Sequence, residues 1–263
     1  MGVVNVTPDS FSDGGRYLEP EAAIAHARRL MEEGADLLDL GAESSRPGAS
    51  GVSAEQELSR LMPVLDGLRD CPIPVSIDTA KPEVMRAVIG AGAAMINDIG
   101  ALRSPGALET VAATDAAVCL MHMQGEPRTM QREPRYGDVV TEVRAFLAGR
   151  VAAAEAGGIA RERIVIDPGF GFGKTIEHNF ELLRHLRRFA EMGLPVMAGW
   201  SRKSTLGAIT GRGAGERLSA SIAAALLAVQ HGATIVRVHD VAATRDAFAV
   251  LAAMDGHGAR GKQ

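Results

Sequence analysis

Residues 91–100 read AGAAMINDIG: a glycine, a short apolar run that ends on Asn97 and Asp98, and a second glycine. Glycine just past a helix end, followed by a short buried run, is the chemistry of a helix-to-strand junction. The same phrase recurs at residues 33–41 (EGADLLDLG), 192–200 (MGLPVMAGW) and 231–240 (HGATIVRVHD). Counting all such runs predicts eight strands, over residues 2–6, 36–40, 75–77, 94–96, 117–121, 164–166, 196–198 and 234–238. The runs do not alternate apolar with polar residues, so both faces of the sheet they form must be covered.

Amphipathic stretches fill the gaps. Leu218, Ile222, Leu226 and Val229 share one helical face, and Leu58, Leu61, Leu65 and Leu68 share another after a capping box at Ser53 and Gln56. Pro63 inside the second stretch predicts a kink. Strand and helix in strict alternation predict an α/β fold, a parallel (β/α)8 TIM barrel, with a doubly wound open sheet as the structural alternative. Nothing in the chain reads as a linker, so residues 1–263 are expected to form a single domain.

Composition narrows the class of partner. A net charge of −4 and a pI near 6.0 argue against general nucleic-acid binding, which needs clustered Lys and Arg. Cys71 and Cys119 match no metal-ligand spacing, and two cysteines make no disulfide scaffold. No signal-like start and no run of about 18 apolar residues is present, so the expectation is a cytoplasmic protein that does not cross a membrane.

The polar residues gather at one end of the predicted strands: Asn5; Asp39 and Glu43; Asp78; Asn97 and Asp98; His122; Asp167; Ser201, Arg202 and Lys203; Arg237 and His239. In a barrel they all meet at the C-terminal mouth. Any one of them can be a helix cap, and Asp78 before AKPEV suits that role. Arg237, His239, Lys203 and Asn5 offer donors for a phosphate or diphosphate, and Asn5 can also ligate Mg²⁺. Asp78, Asn97 and Asp167 suit the amidine-like edge of a pterin or purine, whose ring N–H and amino groups donate to carboxylates. Two connections, TPDSFSDGGRY and GAESSRPGASG, are longer than a turn requires and read as covers over this mouth.

The stretch DPGFGFGKT (167–175) is not a phosphate loop, because Pro168 stands where the Walker pattern needs its first glycine. Its glycines let the backbone approach a ligand closely, and Phe172 can lie flat on a heterocycle. Phe170 reads either as core or as a second ring in the site, and Lys174 as a solvated residue.

The motifs NVTPDSFSDGG, ESSRPGA, IDTAKPEV, INDI, LMHMQGEP, DPGFGFGK, SRKS and RVHDV, in this order, together resemble the bacterial dihydropteroate synthase family over practically the whole chain. The resemblance implies a homodimer that joins 6-hydroxymethyl-7,8-dihydropterin diphosphate to 4-aminobenzoate and releases diphosphate. It implies a pterin site at Asp78, Asn97, Asp167 and Lys203, with Met121, Ile99, Gly199 and Phe172 around the ring. Asn5, Arg237 and His239 resemble the family's diphosphate and Mg²⁺ site. Aminobenzoate, and the sulfonamides that mimic it, are implied near Ser45, Arg46, Pro47, Phe172, Lys203 and Ser204, with Phe11 closing from the first long loop. Catalysis falls to Asp78, Lys203, Arg237 and His239. Ser45, Ala42, Ala80 and Trp200 depart from the family's commoner residues; the Trp200 ring either narrows the seventh-strand entrance or packs beneath it.

Three rivals are set against this reading. A pterin-dependent methyltransferase shares the barrel and needs no diphosphate pocket, which Arg237 and His239 argue against. A Schiff-base enzyme would need Lys203 to have a lowered pKa and would leave a borohydride-trapped adduct. A silent pterin-binding module would bind without turnover.

Overall fold

The computed structural model describes residues 1–6, 19–43, 51–254 and 256. Its strands are β1 (Gly2–Asn5), β2 (Leu38–Gly41), β3 (Val75–Asp78), β4 (Met95–Asp98), β5 (Ala117–Met121), β6 (Ile164–Asp167), β7 (Met197–Ala198) and β8 (Ile235–Val236). One falls at each predicted position. Helices follow as α1 (Glu19–Glu32), α2 (Ala54–Gly67), α3 (Pro82–Gly90), α4 (Ala107–Ala112), α5 (Val139–Ala156), α6 (Ile176–Arg184), α7 (Arg187–Ala190), α8 (Ser204–Thr210), α9 (Leu218–Gln230) and α10 (Val241–Met254). Among the described residues no helix is long and apolar enough to cross a membrane.

The first six strands pair in sequence order, all parallel, and β7 pairs with β8. Two bridges join the pieces, Ile166 to Val196 and Gly2 to Val238. At the second, the Val3 N–H donates to the Val238 carbonyl and the Val238 N–H to the Met1 carbonyl, each at 3.0 Å. The circuit closes, which excludes the open sheet and gives the (β/α)8 barrel.

Alternation along each strand sorts the side chains. Ile77, Ile96, Leu120 and Ile166 face the helices and are fully covered, each stabilising the fold by about 1.5–3 kcal/mol. Met1, Met95, Cys119, Val165 and Met197 form a separate buried cluster within the barrel floor. The capping box starts α2 as expected: the Gln56 N–H donates to Ser53 Oγ at 3.2 Å, and the Ser53 N–H to Gln56 Oε1 at 3.0 Å. The helix runs through Pro63 without interruption. Pro63 is on the exposed face, where water can serve the carbonyl that the missing N–H leaves unpaired.

Candidate active site

The register sets a row of inward positions: Asn5 pairs with Gly41, Gly41 with Asp78, and Asp78 with Asn97. Each closes its strand at the C-terminal end, or stands one residue before it in β4. Asp78 does not cap the next helix. Lys81 holds that place in α3 without a side-chain bond, so the capping alternative falls.

Arg237, just past β8, reaches across the mouth and organises its floor. Its Nε donates to Asp39 Oδ2 at 2.6 Å and its Nη2 to Asp78 Oδ2 at 3.1 Å. Asn97 Nδ2 donates to the same Asp39 oxygen at 3.1 Å. Asp39 is fully buried, and its Oδ1 has no hydrogen-bond partner among the described residues. This carboxylate was visible at a strand end but received no role from the sequence; the geometry makes it the anchor of both Arg237 and Asn97. A signal existed: aspartate at an inward position of a buried run is rarely found without a cationic partner.

Charge within this small space moves the proton affinities. Burial, then the negative charges of Asp39, Glu57 and Asp98, push the Asp78 carboxyl up to about 7, against the pull of Arg237. Burial also raises Asp167, with Lys203 opposing, and lowers Lys203 to about 8, with Asp167 opposing. The Lys203 ammonium donates to the Phe170 carbonyl and lies 4.5 Å from the centre of the Phe172 ring, a cation–π contact. Gly199 keeps the space between Arg237 and Lys203 open: a Cβ there would lie 3.8 Å from Arg237 Cβ and 3.9 Å from Lys203 Nζ.

The loops after β7 and β8 are fastened to one another. Arg202, in the left-handed region at φ +60°, makes a two-pronged bond to Asp240 at 2.6 and 3.1 Å. Ser201 Oγ accepts the His239 N–H at 3.2 Å and lies 3.0 Å from His239 Nδ1. Lys203, His239 and exposed Ser204, at the start of α8, therefore stand on one braced segment.

Beside them Met121, Met123 and Met130 form a buried cluster against which Ile99 and Phe172 pack. Trp200 is 2% exposed and stacks obliquely on Phe170 and Phe180, with ring centres 4.7 and 5.5 Å away. It packs beneath the entrance, and Phe170 belongs to the core rather than to the site. Phe11, Ser45, Arg46 and Pro47 lie outside the described residues.

One expectation is overturned. Lys174, read as solvated, is 3% exposed. Gly169, Gly171 and Gly173 all have positive φ, which coils the loop back over the end of β5 and turns Lys174 inward. The backbone comes so close that a Cβ on Gly169 would lie 1.9 Å from the His122 carbonyl oxygen. Gly169→Ala is expected to lower stability by about 2–4 kcal/mol, read from urea titration; an unchanged midpoint would show that the loop can leave His122 freely.

Known proteins supply the comparison. A family of pterin-binding enzymes matches residues 1–239. Dihydropteroate synthase of Escherichia coli K12 is 48% identical over 254 residues, covering 96% of this chain and 90% of the relative. That of Neisseria meningitidis serogroup B is 51% identical over 261 residues, covering 97% and 92%. The chain belongs to the dihydropteroate synthase family. Among solved structures of dihydropteroate synthases, that from Xanthomonas albilineans with 4-aminobenzoic acid is 55% identical with a TM-score of 0.92, covering 97% of this chain and 92% of that one. A second Xanthomonas albilineans structure, in complex with 7,8-dihydropteroate, is 52% identical with a TM-score of 0.88 and the same coverage. The Yersinia pestis dihydropteroate synthase, in a sulfonamide drug complex, is 44% identical with a TM-score of 0.92, covering 97% and 93%.

The methyltransferase and Schiff-base readings lose their ground here, since the near relatives named are dihydropteroate synthases. The chain is thus a transferase of this family on a (β/α)8 barrel.

Proposed function

We infer that this single pterin-binding domain makes 7,8-dihydropteroate from 6-hydroxymethyl-7,8-dihydropterin diphosphate and 4-aminobenzoate. The observation that carries the reading is what the mouth gathers: acceptors Asp78, Asn97 and Asp167 on β3, β4 and β6 beside cations Lys203 and Arg237 from beyond β7 and β8, with Arg237 bonded to Asp78. A ligand that donates along a heterocyclic edge and carries an anionic tail matches both halves.

In this reading Asp78, Asn97, Asp167 and Lys203 hold the pterin edge, while Met121, Ile99, Gly199 and Phe172 bound its faces. Arg237, His239 and Asn5 receive the diphosphate. Aminobenzoate lies on Phe172 beside Lys203 and Ser204, with Phe11, Ser45, Arg46 and Pro47 completing its site. Sulfonamides, as mimics of that amine, compete for the same place.

The substitution is dissociative. The bond from the pterin methylene carbon to the diphosphate oxygen breaks first, and the oxygen keeps the electron pair. Arg237 and His239 stabilise that departing charge, Lys203 adds positive charge beside the site, and the Asp78 carboxylate stabilises the delocalised pterin cation. The neutral arylamine then attacks the methylene carbon through nitrogen and gives up a proton.

Magnesium fits the donor set. Among the described residues no group of three His, Cys, Asp or Glu side chains is placed to hold a metal. Mg²⁺ commonly takes only one or two protein oxygens and completes its shell with water and substrate phosphates. The Asn5 amide oxygen, at the mouth end of β1, is the protein oxygen that would hold it. When bound, Mg²⁺ would supply further positive charge at the diphosphate. A homodimer in the cytoplasm, with no nucleic-acid or membrane partner, completes the reading; exposed Ile209, Leu218 and Leu227 on α8 and α9 offer apolar surface for a second copy to cover.

The decisive experiment incubates the purified chain with the pterin diphosphate and Mg²⁺, with and without 4-aminobenzoate. Dihydropteroate is expected with the amine, and diphosphate release without it supports departure before attack. Pterin binding with neither product would favour the silent module.

A pH dependence follows from Asp78. Its carboxyl, held near 7, must be ionised to accept from the pterin, so affinity is expected to fall by about tenfold per unit as pH drops below about 7. Asp78→Asn removes this slope; a wild-type affinity flat between about pH 5 and 8 would place the titration elsewhere.

A further inference from the structure

The loop from Gly169 to Gly173 is held in an unusual way. Each carbonyl from residue 170 to 173 accepts from a side chain outside the loop: Phe170 from Lys203, Gly171 from Gln131, Phe172 from Lys174 and Gly173 from Tyr136. Three of these donors come from neutral or mouth-facing groups. The fourth, Lys174, is a buried amine that has no carboxylate within ion-pair distance among the described residues. Its contacts are the Phe172 carbonyl at 2.9 Å, the His122 carbonyl at 3.3 Å and His122 Nδ1 at 3.0 Å.

An unpaired buried ammonium is a poor way to fill a core, since an apolar chain of similar length fills the same space without desolvation. Burial accordingly lowers the Lys174 pKa well below its usual value, and burial together with Lys174 pushes His122 down to about 3, so the imidazole is neutral. What the amine alone provides is a set of directed hydrogen bonds. They join the end of β5 to the residue whose ring lies under Lys203.

We propose that Lys174 is a positioning residue of the synthase reaction, fixing the Phe172 ring beside Lys203 by tying the Phe172 carbonyl to His122. The proposal rests on the aminobenzoate site inferred above. Lys174 acts through Phe172, touches no substrate, and governs where the arylamine lies rather than how the diphosphate leaves. Tyr136 supports the same tether from the far side, its hydroxyl on the Gly173 carbonyl at 2.8 Å and its ring 6.1 Å from that of His122.

The test is a double-mutant cycle of Lys174→Met and Phe172→Leu, with KM for 4-aminobenzoate, kcat and pterin affinity measured for each. Lys174→Met is expected to raise KM for 4-aminobenzoate by about tenfold and to change kcat and pterin affinity each by less than about threefold. In the Phe172→Leu background the same change has no further effect. Additive effects on KM, an unchanged KM, or a common loss of kcat and pterin affinity would each overturn the proposal. Should Lys174→Met fail to fold, Lys174→Gln is read by the same split. If the wild-type chain makes no dihydropteroate, the functional reading fails, and the tether is judged separately from amide exchange at Phe172, whose N–H donates to Gly169 at 3.1 Å. Exchange about tenfold faster in the variant upholds the tether, and unchanged exchange removes it.

Discussion

Asp78→Asn is expected to lower turnover by about 10²-fold or more while leaving the chain folded, the loss typical of removing one preorganised electrostatic partner. The amide keeps the shape and one acceptor oxygen but not the charge that, in the proposed mechanism, stabilises the pterin cation. Stability moves the other way. The folded-state pKa near 7 lies above the ordinary value of 3.8, so the contribution of this carboxyl is fully present below about pH 4 and is lost as pH rises through 7. At about pH 8 the ionised group therefore opposes folding, and the variant should be at least as resistant to urea as the wild type. Rates and urea midpoints at that pH check both halves. Unchanged turnover would remove Asp78 from the mechanism, and a large fall in midpoint would mean that Asp78 serves mainly to hold Arg237.

Arg237→Met is expected to be the most damaging substitution in the mouth. It strips the cation from Asp39 and from Asp78, and Asp39 is fully buried. Breaking a buried pair from one side costs about 3–5 kcal/mol, because the remaining charge stays uncompensated. The Asp78 carboxyl, already raised by burial and now without the pull of Arg237, then binds its proton still more readily in the folded than in the unfolded chain, so the penalty is greatest at about pH 8 and shrinks at about pH 5. Dihydropteroate formation should fall by at least about 10²-fold if Arg237 receives the departing diphosphate as proposed. Urea titrations at both pH values, beside activity, give the comparison; a penalty independent of pH would show that the Asp78 titration does not report the loss of Arg237.

The eight strands could be read from the sequence because buried parallel strands leave a simple mark, an apolar run after a helix-closing glycine. AGAAMINDIG contains β4 entire, from Met95 to Asp98. Ends were less legible. The run at 36–40 begins at Leu38 in the fold, and β7 and β8 shrink to two residues each, because pairing depends on what the neighbouring strand offers. The placement of candidate residues was legible where they stand at or just past a strand end, as at Asp78, Asn97, Asp167, Lys203 and Arg237. It was illegible where a residue's role depends on distant partners. Asp39 meets Arg237 across 198 positions, and no local pattern announces that meeting. Lys174 faces inward only because three glycines with positive φ bend its loop toward His122, a fact about backbone path rather than about residue type.

The seam formed by β7 and β8 has a consequence for synthesis on the ribosome. The first six strands, which form one continuous ladder, are all made before the last two, and the acceptor groups Asp78, Asn97 and Asp167 belong to that ladder. Lys203, Arg237 and His239 emerge later, and Val238 is the residue that closes the circle on Gly2. A nascent chain therefore carries the acceptors of the mouth long before it carries the cations proposed to receive the diphosphate. On the proposed mechanism the capacity for chemistry arrives only with the closing strand, and unfinished chains are expected to be silent.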